Sequence, residues 1–140
     1  MGEINLFSED IVFEYENAQK LNKWLISVIK EENYELDNLN IIFTSDNYLL
    51  EMNRNYLNHD YFTDVITFDY VEGVILSGEI FISIDRVGEN AQKYNVEFID
   101  ELNRIIVHGL LHLLGYKDKT EAEKEIMTSK ENFYLITLEL

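Results

Sequence analysis

Residues 105–114, IIVHGLLHLL, are apolar on nearly every side, yet this run carries two of the chain's three histidines, His108 and His112. Beginning at Phe98, the pattern predicts a helix that ends near Leu114, and a helix apolar all round has to lie inside a core. Burying it requires a substantial cover of other elements. A chain of 140 residues can hide roughly two thirds of the surface its unfolded form exposes, so one domain over residues 1–140 can supply that cover without covalent staples. None would be available in any case. The sequence has no cysteine, which excludes disulfide scaffolds, thiolate metal sites and cysteine nucleophiles and leaves His, Asp and Glu as the ligands for any ion.

The cover can be read from periodicity. Between residues 17 and 30 the apolar positions Ala18, Leu21, Trp24, Leu25, Val28 and Ile29 recur three and four apart, with lysines between them, as in an amphipathic helix. Residues 39–44 read as a strand, and Ser45 as the N-cap of a short helix over 46–55. Residues 58–60 read as a loop. The β-branched and aromatic runs at 65–70 and 79–84, separated by a segment holding Gly73 and Gly78, are expected to pair. Asp85 is expected to cap a helix reaching about Tyr94, and Thr120 with Glu123 forms a capping box for a last helix. The class is α+β, a small mixed sheet packed with several helices.

Two histidines four apart share one helix face and present their imidazoles to a common point. Alone, such a pair on an apolar helix is more often two hydrogen-bonded core histidines. Gly115 then stands where the helix must end, and glycine accepts the left-handed conformation that reverses the chain. Asp118 follows three residues later. The spacing His108-x3-His112-x2-Gly115-x2-Asp118 therefore describes a three-ligand metal site with room for water, or a histidine pair beside a solvated loop acid. It resembles the extended zinc motif HExxHxxGxxH of the metzincins, with Asp118 at the third histidine's place. Gly109 occupies the position of the general-base Glu, so the machinery of peptide hydrolysis lacks one part. Lys117 and Lys119 flank Asp118 and are either surface ammonium groups or receivers of phosphate beside the ion.

With 27 acidic and 11 basic residues, the net charge is −16. Such a surface repels anionic lipid and nucleic acid at long range. The first residues are acidic where a signal peptide is basic, and no apolar run approaches the roughly 18 residues of a membrane span. The expectation is a cytoplasmic protein without membrane contact.

Residues 107–120, VHGLLHLLGYKDKT, resemble the signature of the YbeY family of bacterial rRNA maturation factors, whose usual form is HGxLHLxGYDH. Residues 63–68, TDVITF, resemble that family's TDVLSF segment, and residues 78–83, GEIFIS, its GDIxIS strand. The resemblance implies a single α+β domain holding one divalent ion, generally zinc, on three histidines. It further implies endoribonuclease activity on single-stranded RNA, in maturation of the 16S rRNA 3′ end and ribosome quality control. The implied partners are rRNA and the small subunit or its assembly factors, while the oligomeric state stays open.

Carried over residue by residue, the resemblance makes His108 and His112 metal ligands and sets Asp118 where the third histidine stands. A two-His, one-carboxylate set also suits Fe, Mn or Ni. Leu57 falls where most members have an arginine facing the catalytic centre, so positive charge would have to come from His59, Arg54, Lys117 or Lys119. Among these, Arg54, His59 and Lys119 are candidate RNA contacts and Lys117 a candidate catalytic group. Arg104 could line the same groove. Asp64 is the candidate base, with orientation of a ligand histidine as its other reading, and Thr63 beside it is either turn chemistry or part of the site. Two competing functions follow from the departures: a non-catalytic assembly factor with a vestigial metal site, and a metal-dependent hydrolase of another substrate.

Overall fold

The computed structural model describes residues 2–138 of the chain, so residues 1, 139 and 140 of the expected domain lie outside the described residues. Four strands, β1 (Glu3–Ser8), β2 (Glu35–Thr44), β3 (Val65–Asp69) and β4 (Ile75–Ser83), form one sheet in the order β1-β2-β4-β3. β1, β2 and β4 run parallel, and β3 returns antiparallel along β4, pairing Val65 with Ile82 and Phe68 with Glu79. The helices are α1 (Ala18–Glu31), α2 (Asp46–Tyr56), α3 (Ile84–Tyr94), α4 (Phe98–Leu113) and α5 (Glu121–Leu138). The mixed sheet with several helices expected from the sequence is therefore present.

The core lies where one sheet face meets the helices. Leu39, Ile41 and Phe43 of β2 and Ile80 and Ile82 of β4 are fully buried there with Leu21 and Leu25 of α1 and Leu102, Ile106 and Leu110 of α4. Helix α4 contacts β3, β4, α3 and α5 at once, which is why ten of its sixteen residues are buried. No helix among the described residues is long and apolar enough to cross a membrane.

Several boundaries depart from expectation for identifiable reasons. Strand β1 carries too few apolar residues to stand out; only Ile4 is buried, at the sheet edge. Strand β2 starts at Glu35 because ELDNL alternates in burial, its polar members facing out. Gly78 is not in the turn but inside β4, where a Cβ would meet Leu113 Cδ1 and the Phe68 carbonyl oxygen, each at 2.8 Å. Asp85 does not cap α3. Ser83 does, accepting from the Arg86 N–H at 3.1 Å, while Asp85 accepts from the Asp46 N–H at 2.9 Å and so serves the start of α2. The capping box at α5 is closed as expected, with Glu123 N–H donating to Thr120 Oγ1 at 3.1 Å and Thr120 N–H to Glu123 Oε1 at 2.9 Å.

Candidate metal centre

The end of α4 is a Schellman turn. Gly115, at φ 101°, lets its own N–H reach the His112 carbonyl at 3.1 Å and the Tyr116 N–H reach the Leu111 carbonyl at 3.0 Å. The reversal has two consequences. It places the Tyr116 carbonyl 3.0 Å from His112 Nδ1, and it carries Asp118 over the open side of both imidazoles.

Because a carbonyl only accepts, His112 must donate from Nδ1 and present an unprotonated Nε2. His108 is fixed in the same way by Glu131, whose Oε2 lies 2.6 Å from Nδ1. Both Nε2 atoms then face Asp118 Oδ2. Their separations are 3.0 Å between the nitrogens and 3.2 and 3.3 Å from each to the carboxylate oxygen. An ion bound tetrahedrally at about 2.0–2.1 Å from each ligand sets its ligands about 3.3–3.4 Å apart, since a tetrahedral edge is about 1.6 times the bond. The triangle therefore matches one face of such a polyhedron to within a few tenths of an ångström. Three lone-pair donors this close also repel one another unless a cation lies among them, so the donor set fits a divalent ion.

Helix α5 supplies the support behind His108. Glu131, with its side chain 8% exposed, accepts from Arg104 at 2.7 Å through its other oxygen. Burial alone would lower the His108 pKa, but the Glu131 hydrogen bond and the charges of Glu131, Asp118 and Asp64 outweigh it and raise the value. On the far side of the turn, Glu32 accepts from Tyr116 Oη at 2.6 Å, from Lys130 Nζ at 3.1 Å and from the Tyr134 hydroxyl. Tyr34 Oη also donates to the Leu114 carbonyl at 3.2 Å. The turn that carries Asp118 is thus tied to α1 and α5.

The triangle lines a cleft of about 510 Å³ together with Leu57, His59, Tyr61, Thr63, Thr67, Asp64 and Lys119. Asp64 also lines a second cavity, of about 790 Å³, behind His108, with Glu101, Glu131 and Arg104. Burial raises the Asp64 pKa and prevails over the nearby His108, its backbone N–H bonds and Arg86. The Asn90 amide donates to it at 3.3 Å.

The residues expected from the sequence divide accordingly. His108, His112 and Asp118 come together, and Asp64, His59, Lys119 and Leu57 share their cleft. Arg54 does not line it: the guanidinium is held by Asp60 at 2.6 Å and Glu51 at 3.2 Å, so its charge is already compensated. Lys117 is exposed and outside the cleft lining, and Arg104 is committed to Glu131 and Asn132. Glu131 was not anticipated, although a signal existed. It shares the buried stripe of α5 with Met127 and Tyr134, four and three residues away, where an acid requires a partner. Gly109 is also explained, for a Cβ there would lie 2.9 Å from Ile80 Cγ2. The helix position that bears Glu in zinc peptidases is pressed onto the sheet here.

An α+β domain in which one helix and its terminal turn offer two imidazoles and a carboxylate to an open cleft is the class this fold and site define, and the three groups could hold a metal ion. The comparisons specify the class further. The model of the family Endoribonuclease YbeY matches residues 3–139. A Cytophaga hutchinsonii protein named Endoribonuclease YbeY is 52% identical, over 92% of this chain and 91% of its own. An Amoebophilus asiaticus protein of the same name is 48% identical, over 95% and 91%. The solution structure of a Thermotoga maritima protein superposes with a TM-score of 0.68 at 27% identity, covering 97% of this chain and 89% of that one. The chain belongs to the YbeY family of endoribonucleases.

Proposed function

We propose that this protein cleaves single-stranded RNA in a metal-dependent reaction, acting in the cytoplasm as one domain on the 3′ end of 16S rRNA and in ribosome quality control. The observation that carries the metal dependence is the triangle of His108 Nε2, His112 Nε2 and Asp118 Oδ2, with edges of 3.0–3.3 Å. Zinc is the ion this set suits first, and Fe, Mn and Ni share its preferences. When bound, the ion supplies a Lewis acid beside the scissile phosphate and acidifies water.

The chain's own residues do the rest. Glu131 and the Tyr116 carbonyl fix the ring orientations and tautomers of His108 and His112. Asp64, whose raised pKa brings it nearer neutrality, takes up the proton released as the nucleophile attacks. Lys119 is the cation of the cleft wall and contacts a phosphate oxygen. Lys117, outside the lining, contributes only long-range charge. With a net charge of −16, backbone affinity for free RNA is weak, so the small subunit or its assembly factors bring the substrate to the cleft.

Elemental analysis of the wild type beside His112→Ala, followed by cleavage of a single-stranded RNA with and without chelator, tests this reading. Near-stoichiometric metal in the wild type alone, with chelator-sensitive cleavage, is the expected result. Cleavage that persists in metal-free His108→Ala/His112→Ala protein would overturn it.

A further inference from the structure

The cleft beside the candidate metal centre poses a problem of binding. Its lysine is Lys119; Leu57 is apolar, and Arg54 is tied to Asp60 and Glu51. Phosphate neutralisation is the usual source of affinity for RNA, and little of it is on offer here. The same cleft instead carries solvent-facing aromatic rings. Tyr61 is 55% exposed, and its ring lies 5.2 Å from that of His59, tilted by 41°. Both rings line the cleft that holds His108, His112 and Asp118.

The loop bearing them is held by one buried residue. Asn53 of α2, only 2% exposed, accepts from the Leu57 N–H at 3.2 Å and the His59 N–H at 2.9 Å through its backbone carbonyl, and its side-chain amide donates to the Tyr61 carbonyl at 2.8 Å. Asn58 takes the left-handed conformation, φ 56°, that the tight path needs. One buried residue therefore pins the backbone on both sides of a half-exposed tyrosine while leaving the ring free. A preorganised ring costs little to order on binding, and every nucleobase offers a π-face to it.

We infer that Tyr61, backed by His59, is a nucleobase-stacking platform that holds a base of single-stranded RNA in the cleft of the metal centre, in place of a cationic groove. This inference rests on the ribonuclease reading above. It makes Tyr61 a binding residue: its loss weakens the complex with RNA and leaves the metal centre intact.

The test uses a short single-stranded RNA containing 2-aminopurine, whose fluorescence falls on stacking, with cleavage kinetics on the same strand. Tyr61→Ala is expected to raise KM about tenfold, with kcat changed less than about twofold and the quench lost. Tyr61→Phe, which keeps the ring, is expected to stay within about threefold of the wild type, and Tyr61→Lys, which adds charge without a ring, to resemble the alanine variant. Metal content and melting temperature should match the wild type throughout, and Tyr70→Ala, an exposed tyrosine outside the cleft lining, should behave as wild type. A KM unchanged in Tyr61→Ala, or fully restored by Tyr61→Lys, overturns the inference while the ribonuclease reading stands. A wild type that cleaves no RNA with its metal loaded overturns both.

Discussion

Replacing Glu131 with Gln tests what one buried carboxylate does for the metal centre. Glutamine is nearly isosteric, and its amide oxygen can still accept from His108 Nδ1, so the 2.6 Å contact can persist as a neutral hydrogen bond. What is lost is the negative charge that increases the basicity of His108 Nε2, together with the acceptor of Arg104, whose guanidinium then meets an amide NH2. Hydrogen bonds to ionised groups contribute about 1.5–3 kcal/mol against roughly 1 for neutral ones, and loss of such a partner behind a metal-bound histidine lowers affinity about 10–100-fold. We therefore expect Glu131→Gln to weaken zinc binding about tenfold, or about 1.4 kcal/mol. Glu131→Ala should do more, because it also leaves the His108 N–H without its acceptor and Arg104 with Asn132 alone. Arg104 is 36% exposed and can turn to water, so that part of the cost stays near the low end of the range for broken buried pairs. Competition with a chromophoric chelator measures the affinity, and melting of the metal-free proteins separates folding from binding. Wild-type affinity in a folded Glu131→Ala protein would refute the reasoning.

Other perturbations address other parts of the site. Asp118→Ala should leave a two-ligand centre that loses its metal on dialysis, whereas Asp118→His should retain it; both are read by elemental analysis. Burial acts to raise the Glu32 pKa, but hydrogen bonds from Tyr116, Tyr134 and Lys130 outweigh it and lower the value. The stability from those bonds is therefore full above the ordinary carboxylate range and is lost as pH falls through the depressed folded-state pKa. Glu32→Gln should cost about 1–3 kcal/mol at pH 7 and flatten the acid limb of a denaturation profile, and an unchanged acid limb would contradict this. Leu57→Arg, on the cleft wall at 42% exposure, should lower KM for RNA and steepen its log–log salt dependence by about one.

What could be read from the sequence was local. The helix over 98–114, its histidine pair, the glycine turn and Asp118 lie within 21 residues, and their meeting follows from helix geometry and one left-handed residue. The Ser45 cap and the Thr120–Glu123 box were legible for the same reason. Features that needed a partner from elsewhere were not. Glu131 stands 23 positions from His108, and only the packing of α5 on α4 brings them together. Gly78 carries the composition of a turn but the duty of a close contact with Leu113. Arg54 and Lys117 were candidates by charge alone, and charge does not reveal that Asp60 and Glu51 already hold the one or that the other stands clear of the cleft. Tyr61 gave no pattern at all, since its placement depends on the buried Asn53.

The contact of Gly109 with Ile80 and Thr67 bears on which reactions this scaffold could acquire. In a zinc peptidase the residue after the first ligand histidine is the general-base Glu; here the same helical position is pressed against Ile80 of the sheet. Grafting a glutamate at position 109 would wedge the two layers apart before it could serve as a base. The reaction repertoire of the metal centre is set by the thickness of the seam between helix and sheet, and changing it would require rebuilding that seam from both sides.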